Sequence, residues 1–205
     1  MSEHDYGSSS YWDKRYREEK KPFDWYQPYK NLKGIVDDLL KGREDPHILY
    51  VGCGNSLVAN EMYEEGYKQI DCIDISQVIV EKMSEEYASY PGLTFRVMDV
   101  TDMAEYKKET FDLVLDKGTL DAILCGNESY KKANKMMLEI QRVLKPEGFF
   151  MEVTYGDKDS RMTHLKGKGL SWKSKDFLEL KKPLKENESH FVYVMAKSPV
   201  EKKEP

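Results

Sequence analysis

Two glycines that lie one residue apart, Gly52 and Gly54, follow an apolar run over residues 48–51. Glycine reaches positive φ angles at little cost and has no Cβ, so a ligand can lie directly against the backbone at such a loop. Asn55 or Ser56 can cap a helix that starts immediately afterwards, and the free N–H groups of its first turn are further donors for a polar ligand. The pattern predicts a loop that holds a nucleotide-like molecule.

Two carboxylates lie where further predicted strands end. Asp74 ends a strand over residues 70–74, 20 residues after the second glycine, and an acidic side chain at this offset typically accepts hydrogen bonds from ribose hydroxyls. Asp99 follows a strand over 93–98 and can accept from the amino group of an adenine, while the N–H of Val100 can bond a ring nitrogen. A helix-capping Asp74 and a turn-stabilising Asp99 are the structural alternatives.

The glycine loop fits two kinds of adenosine cofactor unequally. A dinucleotide fingerprint needs a third glycine at the position of Leu57 for close packing of the helix on the strand. The acidic-x-Gly-x-Gly loop of S-adenosylmethionine enzymes is matched in its glycines, but Tyr50 stands at its acidic position. Parallel strands expose their carboxyl ends at one edge of the sheet, so the loop, Asp74 and Asp99 together predict one site for an adenosine-containing ligand.

Strands and helices alternate along most of the chain, which predicts an α/β fold with a parallel sheet and right-handed crossovers. Apolar runs bounded by turn signals predict the strands. The expected strands cover residues 48–51, 70–74, 93–98, 111–115, 149–154, 177–180 and 191–195.

Helices are expected between these strands. One runs from Asn55 or Ser56 to about Gly66, another is capped by Ser76, and a third covers residues 130–144. Residues 145–148 predict a turn into the fifth strand. The polar residues 185–189 are expected to join the last two strands into a hairpin, which gives the sheet an antiparallel edge.

The composition indicates one domain. The chain has 205 residues and a formal net charge of -5, so it has no nucleic-acid footprint, and no apolar run reaches the length of a membrane span. We expect a monomeric domain over residues 11–197 in which residues 11–45 form a helical cap, between disordered tails over 1–10 and 198–205. Three cysteines without a CxxC pair, of which any disulfide would leave one unmatched, and scattered histidines indicate a reduced, cytoplasmic protein without a metal site.

The fourth predicted strand ends in Asp116-Lys117-Gly118-Thr119-Leu120-Asp121-Ala122. This motif resembles that of the seven-strand (class I) methyltransferases in the methyltransferase-like group that modifies lysines of elongation factor 1-alpha. The Gly-Cys-Gly-Asn loop, Tyr-Trp-Asp-x-x-Tyr at Tyr11 and Phe-Asp-Trp-Tyr at Phe23 occur in that group as well, so the resemblance extends from residue 11 to about 197. It implies a Rossmann-like fold with a mostly parallel seven-stranded sheet, a C-terminal antiparallel hairpin and helices on both faces.

The resemblance also implies a cofactor, S-adenosylmethionine, whose product is S-adenosylhomocysteine. Aromatic side chains from the N-terminal segment should cover its methionine end, the glycine loop should meet it through backbone, and the strand ends should hold its ribose and adenine. The implied contacts are Trp12, Tyr16, Trp25, Gly52, Gly54, Asp74, Ile75, Asp99, Val100 and Lys117. Core packing of Trp12, Tyr16 and Trp25 is the alternative.

The acceptor of the methyl group is implied to be a lysine of a protein, and elongation factor 1-alpha is the expected partner. A lysine amine with a pKa near 10.4 must lose its proton before it can accept a methyl group. Asp116 and Asp121 are the candidate catalytic residues and Tyr155 is a lesser one, although Asp116 can be structural and Asp121 a charge at a helix start. Methylation of a small molecule and a non-catalytic cofactor-binding partner protein remain the alternatives.

Overall fold

The computed structural model describes residues 5–19, 21–183 and 185–199. They form seven helices and seven strands that alternate along most of the chain. The helices are α1 (Ser9–Glu18), α2 (Tyr29–Leu40), α3 (Val58–Glu64), α4 (Gln77–Glu86), α5 (Thr119–Leu124), α6 (Ser129–Val143) and α7 (Lys158–Leu165). The strands are β1 (His47–Val51), β2 (Gln69–Asp74), β3 (Leu93–Val97), β4 (Phe111–Lys117), β5 (Leu144–Thr154), β6 (Lys173–Lys182) and β7 (Lys185–Ala196).

All seven strands belong to one sheet in the order β3-β2-β1-β4-β5-β7-β6. The first five strands in this order pair in parallel, whereas β7 pairs antiparallel with both β5 and β6. The fold is therefore the predicted Rossmann-like class I sheet with a C-terminal antiparallel hairpin. The order also brings the carboxyl ends of β3, β2, β1, β4 and β5 to one edge, which is where ligands bind in open α/β sheets.

Apolar side chains cover both faces of the sheet. One core packs α1 to α4 against it, and the other packs the α5 to α7 side against the opposite face. Residues Ile48 to Val51 of β1 are all buried, as expected for a parallel strand covered on both sides. The parallel register of neighbouring strands then fixes where their ends lie.

Four sequence predictions need correction. Residues 145–148 do not form a separate turn, because β5 already begins at Leu144 and carries an irregular register beside β4. Residues 185–189 belong to β7, and both hairpin strands are longer than predicted. Their polar, exposed residues hide the apolar pattern of an edge strand. Helix α7 was not predicted, and α5 was considered only as the alternative in which Asp121 lies at a helix start, since each helix is too short for a clear helical period.

The predicted tails differ from the structure at the N-terminus. Residues 1–4 and 200–205 lie outside the described residues. Residues 9 and 10 form the start of α1, and Tyr6 packs against Trp12 and Trp25 at ring-centroid distances of 5.8 and 6.2 Å. Aromatic contacts therefore hold part of the segment that was expected to be disordered.

Candidate active site

A cavity of about 400 Å³ lies at the carboxyl edge of the sheet, between the strand ends and the N-terminal segment. Ligand sites of enzymes commonly have this size. Twelve of the thirteen side chains or glycines singled out from the sequence line it; Asp116 alone does not. Those that line it are Trp12, Tyr16, Trp25, Gly52, Gly54, Asp74, Ile75, Asp99, Val100, Lys117, Asp121 and Tyr155.

The glycine loop is shaped by the protein's own side chains. Gly52 and Gly54 have φ angles of 58° and 53°, in the left-handed region that favours glycine. A Cβ on Gly52 would overlap the Thr119 hydroxyl, and a Cβ on Gly54 would lie 2.6 Å from the Tyr16 hydroxyl. The missing side chains at Gly52 and Gly54 therefore leave space for Thr119 of α5 and Tyr16 of α1. The sequence had suggested only that they let a ligand approach the backbone.

Asp74 joins the end of β2 to this loop. Its Oδ2 accepts from the N–H of Gly54 and its Oδ1 from the N–H of Ser76, both at 2.9 Å. Burial raises the pKa of this carboxyl to about 6, although the backbone donors oppose the shift. Each carboxylate oxygen has two lone pairs, so Asp74 can still accept from ribose hydroxyls. The helix cap is Ser76, whose Oγ accepts from the N–H of Ile79.

Asp99 and its neighbours form the far side of the same half of the cavity. One Asp99 oxygen accepts from the N–H of Thr101 at 2.8 Å, which is the turn bond considered as the alternative. The carboxylate nevertheless lines the cavity together with Val100 and with Ile75, an apolar side chain that is 41% exposed. An exposed apolar side chain beside two carboxylates suits the flat face and polar edge of an adenosine group.

Aromatic side chains cover this half of the cavity. Trp12 and Tyr16 stack with ring centroids 5.7 Å apart, and Trp25 packs edge-on against Trp12 at 6.5 Å. Tyr16 also belongs to the core on the α1 to α4 side, and Trp12 packs against that core. The packing role and the ligand-facing role therefore coincide, because one set of rings forms both the end of the core and the wall of the cavity.

Lys117 ties the N-terminal segment to the end of β4. Its Nζ lies 3.0 Å from Asp24 Oδ1 and donates to the carbonyl of Trp25 at 3.0 Å. The side chain is 1% exposed, and this burial lowers the pKa of its amine against the raising effect of Asp24. Lys117 thus lines the cavity and holds Trp25 over it.

Asp116 has a structural place in helix α5. Its two carboxylate oxygens accept from the N–H groups of Thr119 and Leu120 at 2.7 and 3.0 Å, so it caps the start of the helix. It is fully buried, and burial raises the pKa of its carboxyl to about 7. Since Asp116 does not line the cavity, the geometry favours the structural role that was left open for it.

Asp121 lies at the other end of the cavity, beyond the glycine loop. It accepts from the Thr154 hydroxyl at 2.7 Å and forms an ion pair with Arg161 of α7. The Tyr26 hydroxyl lies beside it, and burial, followed by the effect of this carboxylate, raises the pKa of Tyr26. The Tyr155 ring, 55% exposed, packs 6.2 Å from that of Tyr26 at the opening. A cavity wall that contains a carboxylate and aromatic rings can receive a cationic amine.

Sequence reasoning assigned no role to three residues that build the site. Thr119 donates to the carbonyl of Val51 at 3.0 Å and so locks α5 against the glycine loop. Tyr26 lies in the segment quoted for the resemblance, but its own role was not recognised. Arg161 lies on a helix that was missed, although Asp157, which caps that helix by accepting from the N–H of Ser160, was a usable signal.

The described part of the chain has neither a metal-binding cluster nor a membrane-spanning helix. No group of three or more His, Cys, Asp or Glu side chains there could hold a metal ion. No helix there is long and apolar enough to cross a bilayer.

The chain matches known proteins along most of its length. The methyltransferase domain family matches residues 43–193. A Bos taurus protein, eEF1A lysine and N-terminal methyltransferase, is 40% identical over 154 residues, and the Homo sapiens protein of that name is 39% identical. The match covers 73% of this chain but 22% of either relative, so the chain spans about a fifth of their length.

A shorter relative is covered more fully. The Mus musculus protein EEF1A lysine methyltransferase 4 is 30% identical over 177 residues, which are 82% of this chain and 68% of that protein.

Solved structures share the fold at low identity. The N-methyltransferase NodS from Bradyrhizobium japonicum, in complex with S-adenosyl-L-homocysteine, has a TM-score of 0.62 at 13% identity and covers 83% of this chain and 88% of its own. A SAM-dependent methyltransferase from Methanosarcina mazei has a TM-score of 0.62 at 19% identity, with 86% and 100% covered.

Proposed function

The chain belongs to the methyltransferase domain family, whose methyl donor is S-adenosylmethionine, and we propose that it is a protein-lysine N-methyltransferase that acts on elongation factor 1-alpha. The observation that carries this proposal is the placement of Asp121. Asp121 lines the cavity together with Tyr26 and Tyr155, on the opposite side of the glycine loop from Asp74 and Asp99. One end of the cavity thus suits adenosine and the other suits a cationic amine.

The residues present fit the cofactor in shape and in charge. Gly52 and Gly54 have positive φ angles and form a loop that a ligand can meet through its backbone. Asp74 offers buried carboxylate oxygens at the adjoining strand end. Trp12 and Trp25 can face a sulfonium cation, which aromatic rings attract through their quadrupole. These residues, with Tyr16, Ile75, Asp99 and Val100, would hold the donor; Lys117 would hold Trp25 in place over it.

The amine acceptor is the part of the reaction that the chain's own residues must control. When bound, S-adenosylmethionine supplies a methyl group that a neutral amine takes from sulfur by in-line displacement, and the electron pair of the broken bond stays on sulfur. The rings of Tyr26 and Tyr155 line the cavity beside Asp121, so a lysine side chain bound there would be partly desolvated, which favours its neutral form. Asp121 orients the amine by accepting from its N–H groups, and positioning of this kind contributes much of the rate enhancement.

The relatives support the choice of substrate. The Bos taurus, Homo sapiens and Mus musculus proteins carry elongation factor eEF1A and lysine methylation in their names. An elongation-factor lysine is therefore the first acceptor to test. The chain's free cysteines, of which Cys53 and Cys72 are buried, agree with a reducing, cytoplasmic setting.

The test is a transfer assay with labelled S-adenosylmethionine. The protein is incubated with purified elongation factor 1-alpha and, separately, with a eukaryotic lysate, and the label is located by mass spectrometry. We expect label on one lysine of elongation factor 1-alpha. Label on small metabolites alone would indicate the small-molecule reaction, and tight cofactor binding without any transfer would indicate a non-catalytic protein; either result would overturn the proposal.

A matched pair of variants links the assay to the site. Asp121→Asn keeps the size of the side chain but removes its charge, and we expect transfer to elongation factor 1-alpha to fall at least about 10-fold, since a charged hydrogen bond to the amine is lost. Asp159→Asn removes a carboxylate from the first turn of α7, in which Asp159 is exposed. We expect that control to transfer at the wild-type rate.

A further inference from the structure

A second row of charged side chains lies beneath the amine end of the cavity. Glu152 of β5 is 0% exposed and Arg161 of α7 is 4% exposed, and neither lines the cavity. Burying a charge costs free energy unless the charge is paired. We therefore expect these two buried residues to interact with each other and with the candidate catalytic carboxylate of Asp121.

Arg161 fixes the position of Asp121. Its guanidinium forms an ion pair with the Asp121 carboxylate, and its Nε donates to the Thr154 hydroxyl at 2.9 Å. That hydroxyl in turn donates to Asp121 at 2.7 Å and accepts from the N–H of Gly156 at 3.0 Å. Two donors therefore hold one face of Asp121, and its orientation on the cavity wall depends on α7.

Glu152 faces the same guanidinium from the other side. Its Oε1 lies 3.3 Å from Arg161 Nε, and neither carboxylate oxygen accepts a hydrogen bond from any residue that the structure describes. The charged groups around it are Asp116 from β4, Asp121 from α5 and Arg161 from α7, and the Tyr193 phenol of β7 lies nearby. Burial, followed by repulsion from the two aspartates, raises the pKa of Glu152 well above its ordinary value.

The charge at this end of the cavity depends on Glu152. When Glu152 is protonated, Arg161 balances Asp121 and the three groups carry no net charge. When Glu152 is ionised, one guanidinium is shared by two carboxylates and the three groups carry one net negative charge. Asp121 is the member of this set that reaches the cavity, so it presents that charge to a bound cation.

We propose that Glu152 and Arg161 are positioning residues that set the orientation and the effective charge of Asp121 toward the acceptor amine. The proposal rests on the proposed function, because it takes the Asp121 end of the cavity to be the amine site. It adds that a buried pair which never touches the substrate determines how strongly the site attracts an ammonium group.

A probe that needs no methyl transfer tests this directly. The protein is saturated with S-adenosylhomocysteine, and n-butylammonium, which mimics a lysine side chain, is titrated by NMR at several pH values below its own pKa, near that of lysine. We expect the wild type to bind it more tightly as pH rises, by about 5-fold, because ionisation of Glu152 adds one negative charge a short distance away. Glu152→Gln should bind weakly and should lose the part of that pH dependence that Glu152 causes, so that only the part due to ionisation of Asp116, whose pKa is about 7, remains.

Variants of Arg161 separate positioning from bulk stability. Arg161→Lys keeps the charge and should retain the pH dependence with somewhat weaker binding, whereas Arg161→Met should lose it. S-adenosylhomocysteine affinity should stay within about 2-fold in Glu152→Gln, since the pair is remote from the adenosine end. A purely structural role would lower cofactor affinity and thermal stability together and would leave the pH dependence in place.

Two results would overturn the proposal. One is a Glu152→Gln variant that binds n-butylammonium with the affinity and pH dependence of the wild type. The other is a wild type that does not bind the probe at all. Failure of the proposed function has a different signature, because the protein would then bind n-butylammonium and still transfer no label to elongation factor 1-alpha.

Discussion

The two ends of the cavity are built in different ways. The centre of the adenosine end is a backbone loop, in which Gly52 and Gly54 have positive φ angles and Asp74 accepts from the N–H groups of Gly54 and Ser76. The amine end is made from side chains that come from distant parts of the chain, among them Asp121 and Arg161, which are 40 residues apart. On the proposed function, cofactor binding thus depends largely on the geometry of this loop, whereas recognition of the acceptor depends on tertiary packing.

The largest effect on the adenosine end is expected when one methyl group is added to its glycine loop. Gly52→Ala places a Cβ at a φ of 58° and onto the Thr119 hydroxyl. We expect the free energy of unfolding to fall by about 2–4 kcal/mol, from backbone strain and steric overlap together, and cofactor binding to be lost. Urea unfolding and calorimetric titration measure the two effects.

Gly34→Ala is the matched control, because nothing lies within 4 Å of its Cβ position in helix α2. Alanine there should raise stability by about 0.5–1 kcal/mol, since glycine is a poor residue for a helix interior. Equal stabilities for the two variants would show that the loop is not constrained as described.

The next largest effect is expected at Lys117, which joins the end of β4 to the N-terminal segment beside the cavity. Lys117→Met removes the cation that pairs with Asp24 and donates to the carbonyl of Trp25. We expect a loss of about 3 kcal/mol, because Asp24 then lacks its buried partner, and faster proteolysis over residues 21–27. Lys131→Met breaks an exposed pair with Glu128 and should change stability by less than about 0.5 kcal/mol. Identical unfolding curves for both variants would contradict this account.

A smaller effect separates cofactor binding from folding. Asp74→Ala should weaken S-adenosylmethionine binding by about 10-fold or more, because a charged acceptor for the ribose is removed. Wild-type affinity in a folded Asp74→Ala variant would remove Asp74 from the site.

The raised pKa of Asp74 gives the same residue a pH signature. Its carboxyl is ionised above about pH 6 and protonated below, so cofactor affinity should fall as the pH drops from about 6 to 5. Asp74→Asn has no such ionisation and should show a flat profile over that interval. Isothermal titration at a series of pH values compares the two, and parallel profiles would refute the assignment.

The smallest effect is expected at Asp99. Asn at this position can still accept from the N–H of Thr101 and so keeps the turn, while the negative charge toward the cavity is lost. Because the side chain is exposed, we expect cofactor affinity to fall by no more than about 3-fold, as solvent screens the contact. A 100-fold loss in an equilibrium titration would mean that Asp99 holds the adenine far more tightly than its exposure indicates.

The difference between the two ends also explains what the sequence could predict. The glycine loop, Asp74 and Asp99 are each a short local pattern at a strand end, and all of them line the cavity. The parallel strands were predicted equally well, because their buried runs are local signals. The fold class followed from their order.

The amine end could not be predicted in the same way. The sequence left the role of Asp116 open, because its oxygens can accept from two N–H groups of α5 as a cap only once that short helix has formed. Arg161 meets Asp121 and Glu152 only after α7 packs against β5, and no local pattern encodes that contact. The hairpin strands β6 and β7 were predicted too short, since their exposed polar residues resemble a loop.

One comparison tests the central claim, that cofactor binding and amine recognition reside at separate ends of the cavity. Asp121→Asn and Asp74→Ala are measured side by side for S-adenosylmethionine affinity and for the single-turnover rate of transfer at saturating cofactor. We predict that Asp121→Asn keeps the wild-type affinity and transfers at least about 10-fold more slowly, whereas Asp74→Ala loses affinity and keeps its rate once saturated. Loss of affinity in Asp121→Asn with an unchanged transfer rate would contradict the account.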